Sequence, residues 1–289
     1  SIINPSGGTF SPTDDGLPIP DRETRNIYEF IFTSYTREQA VLALPTQPIW
    51  VSRPVDVNFF PIAGGEQDVL ALESFPYLEP GETYHARAAI ANPSIEELRA
   101  AGEDYPAWVT DHYLQLPAGF SDRMRTFANQ STLGKQTPYD KAQAITSTLR
   151  ARIQYQPSIP PPPKNTDLLE WFLFDVKKGY CNYYATTEVL LLRSLGIPAR
   201  MAVGFAQGEA IRTDLSAREA AQVGQEFKVT YKNMHAWPEV YFPGIGWVEF
   251  EPTVNQFPLV RPISGESARP AGSFRRAGAT GTFAQTAFI

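Results

Sequence analysis

The sequence has little cysteine, little histidine and few charges, and each shortage restricts the chemistry that the protein can perform. Its 289 residues include one cysteine and three histidines, and charged residues make up 19% of the chain. A single cysteine excludes an internal disulfide framework and a metal site built from several cysteines. No apolar run approaches the roughly 18 residues of a membrane span. No basic patch interleaved with aromatic residues indicates a nucleic-acid partner.

The residues that are abundant predict a folded protein with a sizeable core. Apolar residues make up 43% of the chain and aromatic residues 12%, and the net charge is −6. The length favours about two domains. The chain starts at Ser1 with no methionine and no recognisable signal peptide, so we expect an excised soluble fragment, and the missing span is not evidence that the full protein lacks one. None of these features predicts an oligomeric state.

Turn residues and hydrophobic periodicity divide the chain into four parts. Residues 1–23 are rich in Pro, Gly, Ser and Asp, which predicts an irregular lead-in. Short β-like segments separated by turns predict a β-rich N-terminal domain, a small β-sandwich, with a bridge over 24–117. Helical and then β-like patterns predict an α+β core over 118–260, in which Pro157 to Pro163 form a stiff loop or, alternatively, a polyproline ligand. The composition of 261–289 predicts a flexible, linker-like tail.

The one cysteine, Cys181, stands where a helix is predicted to begin. Gly179 permits a tight turn before it, and apolar residues recur three or four apart from Ala185 to Leu195, after which Gly196 ends the helix. Unpaired N–H groups and the helix dipole favour an anion at a helix N-terminus, so a thiol there ionises more easily and becomes a nucleophile. The alternative is a buried free cysteine that packs as a small apolar side chain.

A thiolate nucleophile needs a base, and the base needs a group that orients it. His85 and His112 precede the predicted core and are expected to be structural, so His235, at the start of a predicted strand, is the candidate base. A turn then folds the chain back, and the returning strand carries Glu249 and Glu251 on one face. Either carboxylate could bond to the imidazole and raise its basicity. The alternative is that His235 is an ordinary core or surface residue and that the glutamates are solvated.

Three blocks of sequence follow one another in this predicted core. They are Gly179-Tyr180-Cys181 through Ala185, then Leu195-Gly196-Ile197-Pro198-Ala199-Arg200, then His235-Ala236-Trp237 through Phe250-Glu251-Pro252-Thr253. Together, over roughly residues 120–255, they resemble the transglutaminase-like cysteine superfamily, and most closely its bacterial, membrane-associated branch with an extracytoplasmic core domain. The resemblance implies a papain-like fold, in which a central helix bearing the cysteine packs on an antiparallel β-sheet.

The resemblance also implies a catalytic triad. Cys181 would be the nucleophile, His235 the base and later the acid, and Glu251 the orienting carboxylate. The family usually has aspartate where this chain has Glu251, so Glu249 is kept as the reserve for that role. The backbone N–H of Cys181 is the natural donor to an oxyanion, and the second donor is left open between Gln154 and Trp171.

The implied activity is cysteine-dependent acyl transfer on peptide or protein amides through a thioester, as in a transglutaminase or a cysteine protease. Animal members of the family use calcium, but no acidic loop here has convincing ligand spacing, so no cofactor and no metal are expected. The resemblance places the full-length protein on the extracytoplasmic side of the cell membrane. The alternative function is a catalytically silent module of the same fold that binds a peptide or protein partner.

Overall fold

The computed structural model describes residues 4–211 and 226–264. Two large hydrophobic clusters organise these residues, one with buried side chains from residues 10–89 and the other with buried side chains from residues 98–250. Strands enclose the first cluster, whereas helices and a sheet enclose the second. The fold is therefore α+β, as predicted. The domain boundaries given above stay predictions.

Seven strands form the β-rich part of the chain. They are β1 (Ser6–Phe10), β2 (Asn26–Thr33), β3 (Gln39–Val41), β4 (Pro48–Val51), β5 (Val55–Pro61), β6 (Gln67–Leu78) and β7 (Thr83–Ile90). One antiparallel sheet has the order β1-β5-β6-β3 and the other has the order β2-β7-β4. Side chains from both sheets, such as Leu72 and Tyr84, belong to one buried cluster, so the two sheets form a sandwich.

The lead-in of residues 1–23, predicted to be irregular, contains strand β1, and this is a correction. β1 pairs with β5 along its whole length, and Phe10 is buried in the sandwich. The segment is too rich in glycine to show strand periodicity by itself. The edge of a neighbouring strand supplies the hydrogen bonds that its composition does not indicate.

Within residues 95–211 and 226–264, the second part of the chain combines six α-helices with seven strands. The helices are α1 (Ile95–Ala100), α2 (Ala107–Tyr113), α3 (Asp122–Ser131), α4 (Pro138–Arg152), α5 (Leu168–Glu170) and α6 (Cys181–Ser194), and a π-helical segment, Trp171–Val176, continues α5. The strands are β8 (Gln154–Tyr155), β9 (Lys178–Gly179), β10 (Ala199–Phe205), β11 (Glu209–Ala210), β12 (Phe227–Lys228), β13 (Met234–Phe242) and β14 (Gly246–Glu249). β10, β13 and β14 form an antiparallel sheet in that order.

Helix α6 is the centre of this second part. It packs against α3, α4, β10 and β13, and its side chains are buried almost continuously from Tyr184 to Leu192. Gly196, at a positive φ of 76°, ends it as predicted. On β13, Val240 and Phe242 belong to the cluster around α6. Because side chains alternate along a strand, Glu239 lies on the other face of the sheet, and His235 stands near the start of β13.

Several predicted elements differ from the observed ones. The predicted strand Phe227–Tyr231 ends at Lys228, because a helical turn over Tyr231–Asn233, capped by Thr230, follows it. The predicted strand Trp247–Glu251 ends at Glu249, so Glu251 lies beyond the sheet. His112, expected to precede an extended exit, lies in helix α2.

Two predicted segments lie wholly or largely outside the described residues. The first is the polar segment from Gly208 to Gly224, and the second is the tail over 261–289. No helix within residues 4–211 and 226–264 is long and apolar enough to cross a membrane.

Candidate active site

Cys181 is the first residue of α6. Strand β9, immediately before it, pairs in parallel with β8, which fixes the approach of the chain to the helix. Gly179 serves here by its size: a Cβ at this position would lie 2.7 Å from the Phe172 ring, whereas its φ is outside the left-handed region. The predicted tight turn is therefore replaced by a close contact that only glycine allows.

His235 lies between Cys181 and Glu251. Its Nε2 atom is 2.6 Å from Oε2 of Glu251, and the side chain of Cys181 lies close enough to the ring to raise its pKa. The Cys181 sulfur donates to Oδ1 of Asn182 at 3.4 Å. His235 and Glu251 are both 4% exposed. The structure thus brings the three predicted residues together in the order thiol, imidazole, carboxylate, and their roles stay predictions.

Glu251 accepts hydrogen bonds on both of its oxygens. The backbone N–H of Thr253 donates to Oε1 at 2.8 Å, and His235 occupies Oε2. A carboxyl group whose two oxygens both face N–H groups is ionised, because a protonated one would present a hydrogen to one of them. Its backbone is also held, since Arg150 on α4 donates to the carbonyls of Glu251 and Thr253 at 3.1 and 2.8 Å. Sequence reasoning missed Arg150, for which no local signal exists.

The environment of His235 favours the protonated ring. Burial by itself lowers the pKa of His235, but the contact with Cys181, the hydrogen bond with Glu251 and the charge of Glu251 outweigh burial and raise the pKa to about 9. The Trp237 ring lies nearly parallel to the imidazole, with 5.9 Å between centroids. Trp237 is 3% exposed and shields this face of the pair from water. His235 is therefore an imidazolium at neutral pH.

The two other carboxylates on the same sheet face have different partners. Glu239 bonds to Arg200 at 2.7 Å, so it is not free to orient His235. Glu249 lies directly opposite Glu239 in the strand register. Burial raises the pKa of Glu249 to about 8, and the negative charges of Glu239 and Glu251 raise it further. The positive charge of Arg261 acts in the opposite direction. Glu249 is therefore neutral at pH 7, which leaves Glu251 as the ionised partner of His235.

The remaining predicted residues occupy separate places. Gln154 on β8 is the register partner of Lys178 on β9, beside the segment that leads into Cys181, whereas Trp171 is 7% exposed and starts the π-helical segment. Their part in binding an oxyanion stays a prediction. His85 contacts Glu29 at 3.2 Å, and His112 contacts the Trp108 carbonyl at 2.7 Å. No cluster of three or more His, Cys, Asp or Glu able to hold a metal occurs in the part of the chain that the structure describes.

Comparison with known proteins identifies the part of the chain that carries this site. The profile of the transglutaminase-like superfamily matches residues 125–252, a segment that contains α4, α6, the three-stranded sheet and all three site residues. Residues 125–252 belong to the transglutaminase-like superfamily.

Among the proteins that resemble this chain are two curated relatives and a solved structure. YebA of Bacillus subtilis strain 168, described as an uncharacterized protein, is 39% identical over 160 residues, which are 54% of this chain and 20% of YebA. A protein-glutamine gamma-glutamyltransferase of Pseudomonas aeruginosa strain PAO1 is 31% identical over 163 residues, 53% of this chain and 22% of the relative. The chain therefore spans about a fifth of the length of these relatives.

The solved structure is the periplasmic domain of TgpA from Pseudomonas aeruginosa, bound to ethylmercury. It matches with a TM-score of 0.55 and 21% identity and covers 85% of this chain and 76% of that chain. At this identity the match shows the fold, and it extends beyond residues 125–252 into the β-rich part.

The raised pKa values near the site predict how stability depends on pH. Burial raises the pKa of Glu188 on α6 to about 8, as it does for Glu249, and that of His235 is about 9. A group whose pKa is higher in the folded than in the unfolded state stabilises the fold below its unfolded pKa and loses that contribution as pH rises through its folded pKa. We expect the melting temperature to fall steadily between pH 6.5 and 9.

Differential scanning calorimetry from pH 5 to 9 checks this expectation. In the variant His235→Ala, the melting temperature should fall less between pH 6.5 and 9 than it does in the unmodified chain. A melting temperature that rises toward pH 9 would contradict the assignment of raised pKa values to these three groups.

Proposed function

We propose that residues 125–252 form the catalytic core of a cysteine-dependent acyltransferase that acts on peptide or protein amides, with Cys181 as the nucleophile. The observation that carries the proposal is the placement of His235 between the thiol of Cys181 and the carboxylate of Glu251. A thiol, a base and an orienting acid in this order are what covalent catalysis by cysteine needs.

The geometry supports the following chemistry. The Cys181 thiolate attacks the carbon of a carboxamide, and the oxyanion that forms lies near the first N–H groups of α6, which have no partner within the helix. His235 gives its proton to the departing ammonia or amine, which leaves a thioester on Cys181. An incoming amine or water then attacks the thioester while His235 takes its proton, and the Cys181 thiolate is released.

The nature of the acceptor separates a transglutaminase from a protease or amidase. We propose transfer to an amine, because the relative from Pseudomonas aeruginosa is named as a protein-glutamine gamma-glutamyltransferase at 31% identity. The peptide or protein substrate would then supply a glutamine side chain. Water as acceptor gives hydrolysis with the same three residues.

One assay separates these readings. The chain is incubated with a glutamine-containing peptide and a labelled primary amine, and incorporation of the label is measured together with release of ammonia. Label incorporation supports the transferase, and ammonia release without label supports the hydrolase. If neither occurs and Cys181 reacts with iodoacetamide as slowly as a free thiol, the proposal fails and a catalytically silent binding module takes its place. Every alkyl adduct can be assigned, because the chain has one cysteine.

The variant Glu251→Gln should lower kcat by roughly 10³- to 10⁴-fold. An amide removes the negative charge next to His235 and can donate its own hydrogen to Nε2, which would leave the ring proton on Nδ1. KM should change little, because Glu251 is buried and bonded to protein groups. Steady-state kinetics of label incorporation measure both constants.

The matched control is Glu249→Gln, two residues away on the same side of the sheet. Because Glu249 is already neutral at pH 7, an amide of the same shape should cost much less activity. A larger loss in Glu249→Gln than in Glu251→Gln would transfer the orienting role to Glu249.

We further propose that the full-length protein presents this core on the extracytoplasmic side of the cell membrane, anchored by segments outside this chain. Support comes from the Pseudomonas aeruginosa TgpA domain of the same fold, which is periplasmic. The domain division into a β-rich domain with its bridge over 24–117 and a core over 118–260 belongs to the same proposal.

A further inference from the structure

Glu188 is a buried carboxyl group that the proposed mechanism does not use. It lies seven residues after Cys181, two turns along α6 on nearly the same side of the helix. Its side chain is 0% exposed, and no salt bridge to it is present among the described residues. A charged carboxylate in such a place would lack the counter-charge that burial requires.

The hydrogen-bond geometry around Thr146 fits a protonated Glu188. The Thr146 hydroxyl oxygen on α4 lies 2.6 Å from Oε1 of Glu188 and 3.1 Å from the carbonyl oxygen of Ala142. A hydroxyl has one hydrogen to donate, and a carbonyl oxygen can only accept. If Thr146 donates to Ala142, a protonated Glu188 can donate to Thr146, and both contacts are then hydrogen bonds.

The other oxygen of Glu188 supports the same assignment. Oε2 has no hydrogen-bond partner among the described residues. If Glu188 is protonated, Oε2 is a neutral carbonyl oxygen, and the missing partner costs one modest hydrogen bond. If Glu188 is ionised, Oε2 carries part of a buried negative charge that no partner compensates. Burial, helped by the charge of Glu251, raises the pKa of Glu188 to about 8 although the contact with Thr146 lowers it.

In the part of the chain that the structure describes, the elements packed around α6 offer Glu188 no cation of its own. Arg150, one turn along α4 from Thr146, donates to the carbonyls of Glu251, Thr253 and Gln256. Arg200 on β10 is bonded to Glu239 and to Asp68.

The other described neighbours of α6 are either apolar or already hydrogen-bonded, and the charge that acts on Glu188 is that of Glu251. Tyr184, one turn before Glu188, donates to the Ile153 carbonyl at 2.8 Å, and α3 contributes apolar side chains to this core. His235 is hydrogen-bonded to Glu251, and Cys181 lies close to its ring. Glu251 is the charged group whose field acts on Glu188, and by reciprocity a charge on Glu188 would act on Glu251, the partner of His235.

We propose that Glu188 is a positioning residue of the site: a proton-bearing acid that ties α6 to α4 and leaves Glu251 as the carrier of the negative charge beside His235. The proposal rests on the proposed function only in assigning His235 and Glu251 to catalysis. An ionised Glu188 would add a second negative charge next to Glu251 and hold the proton of His235 more tightly. It would also repel the oxygen of Glu251 that accepts from His235.

Two measurements on the full chain test this proposal without requiring turnover. Infrared spectra at pH 7 should contain a carboxylic-acid C=O band that disappears in Glu188→Gln, while the band from Glu249 remains. Nuclear magnetic resonance of the three histidine rings, with His235 assigned by its loss in His235→Ala, should show that the midpoint of the His235 titration moves to lower pH in Glu188→Gln. The matched control Glu96→Gln removes a carboxylate from the exposed side of α1 and should leave both readouts unchanged.

The proposal is overturned if no acid band is lost in Glu188→Gln, or if His235 titrates identically in that variant and in the unmodified chain. If Glu188→Gln does not fold, carboxyl ¹³C spectra of the unmodified chain decide, because two glutamates should titrate far above the ordinary range and a spectrum without them refutes the assignment. If these results agree with the proposal but the chain shows neither transfer nor hydrolysis, the proposed function fails and the protonation of Glu188 stands.

Discussion

Replacing Cys181 with alanine should reduce acyl transfer by on the order of 10⁴-fold or more. No other thiol exists in the chain, so no neighbouring side chain can form the thioester. The melting temperature should stay almost unchanged, because Cys181 is only partly buried and alanine is a good residue for the first turn of a helix. Label incorporation and calorimetry on the same preparation measure both quantities.

The nuclear magnetic resonance signal of His235 gives an independent readout for this variant. The contact with Cys181 contributes to the raised pKa of His235, so Cys181→Ala should lower the midpoint of its titration. A variant that keeps its activity but melts at a much lower temperature would show that Cys181 is a packing residue. That result would end the proposal of thiol catalysis.

Replacing Arg200 with methionine should destabilise the fold by about 3–5 kcal/mol. The Arg200 guanidinium donates to Asp68 at 2.8 Å and to Glu239 at 2.7 Å, and all three side chains are almost completely buried. It also lies 4.1 Å from the centre of the Trp247 ring. Methionine fills a similar volume but leaves two buried carboxylates with no cation between them. Chemical denaturation followed by circular dichroism gives the free energy of unfolding.

The position of this network explains why the loss should reach the whole molecule. Asp68 lies on β6 of the sandwich, whereas Arg200 and Glu239 are register partners on β10 and β13. Tyr113 donates to Asp68 from α2, and Thr46 donates to Glu239 from the β-rich part at 3.3 Å. β13 also carries His235, so the sandwich and the strand of the proposed base share one set of buried charges. We expect a single unfolding transition.

The control for Arg200→Met is Arg99→Met. Arg99 also binds a carboxylate with two nitrogens, at Asp140, but half of its side chain is exposed. Water can replace those bonds, so this variant should change the free energy of unfolding far less. Equal losses in the two variants, or a sandwich that unfolds separately from the core, would contradict the coupling through Arg200.

Local signals in the sequence were enough to predict the elements that carry the proposed chemistry. The apolar spacing after Cys181 and the glycine at 196 predicted helix α6, and the predicted strand Ala199–Phe205 is observed with those bounds. The small number of histidines left one candidate base. These inferences succeeded because helix ends, strand alternation and residue counts depend on neighbours in the chain. The strand β1 was missed because its hydrogen bonds come from β5, about fifty residues away.

Tertiary structure alone decided which groups act on one another. Glu249 and Glu251 looked equivalent by their spacing, but β14 ends at Glu249, and Glu251 lies past the sheet, where Thr253 and His235 hold both of its oxygens. Arg150 supports this arrangement from 101 residues away, and Thr146 contacts Glu188 across 42 residues. The charge state of a buried carboxyl group depends on the donors and charges within a few ångströms of it, and these come from segments that only the folded chain brings together.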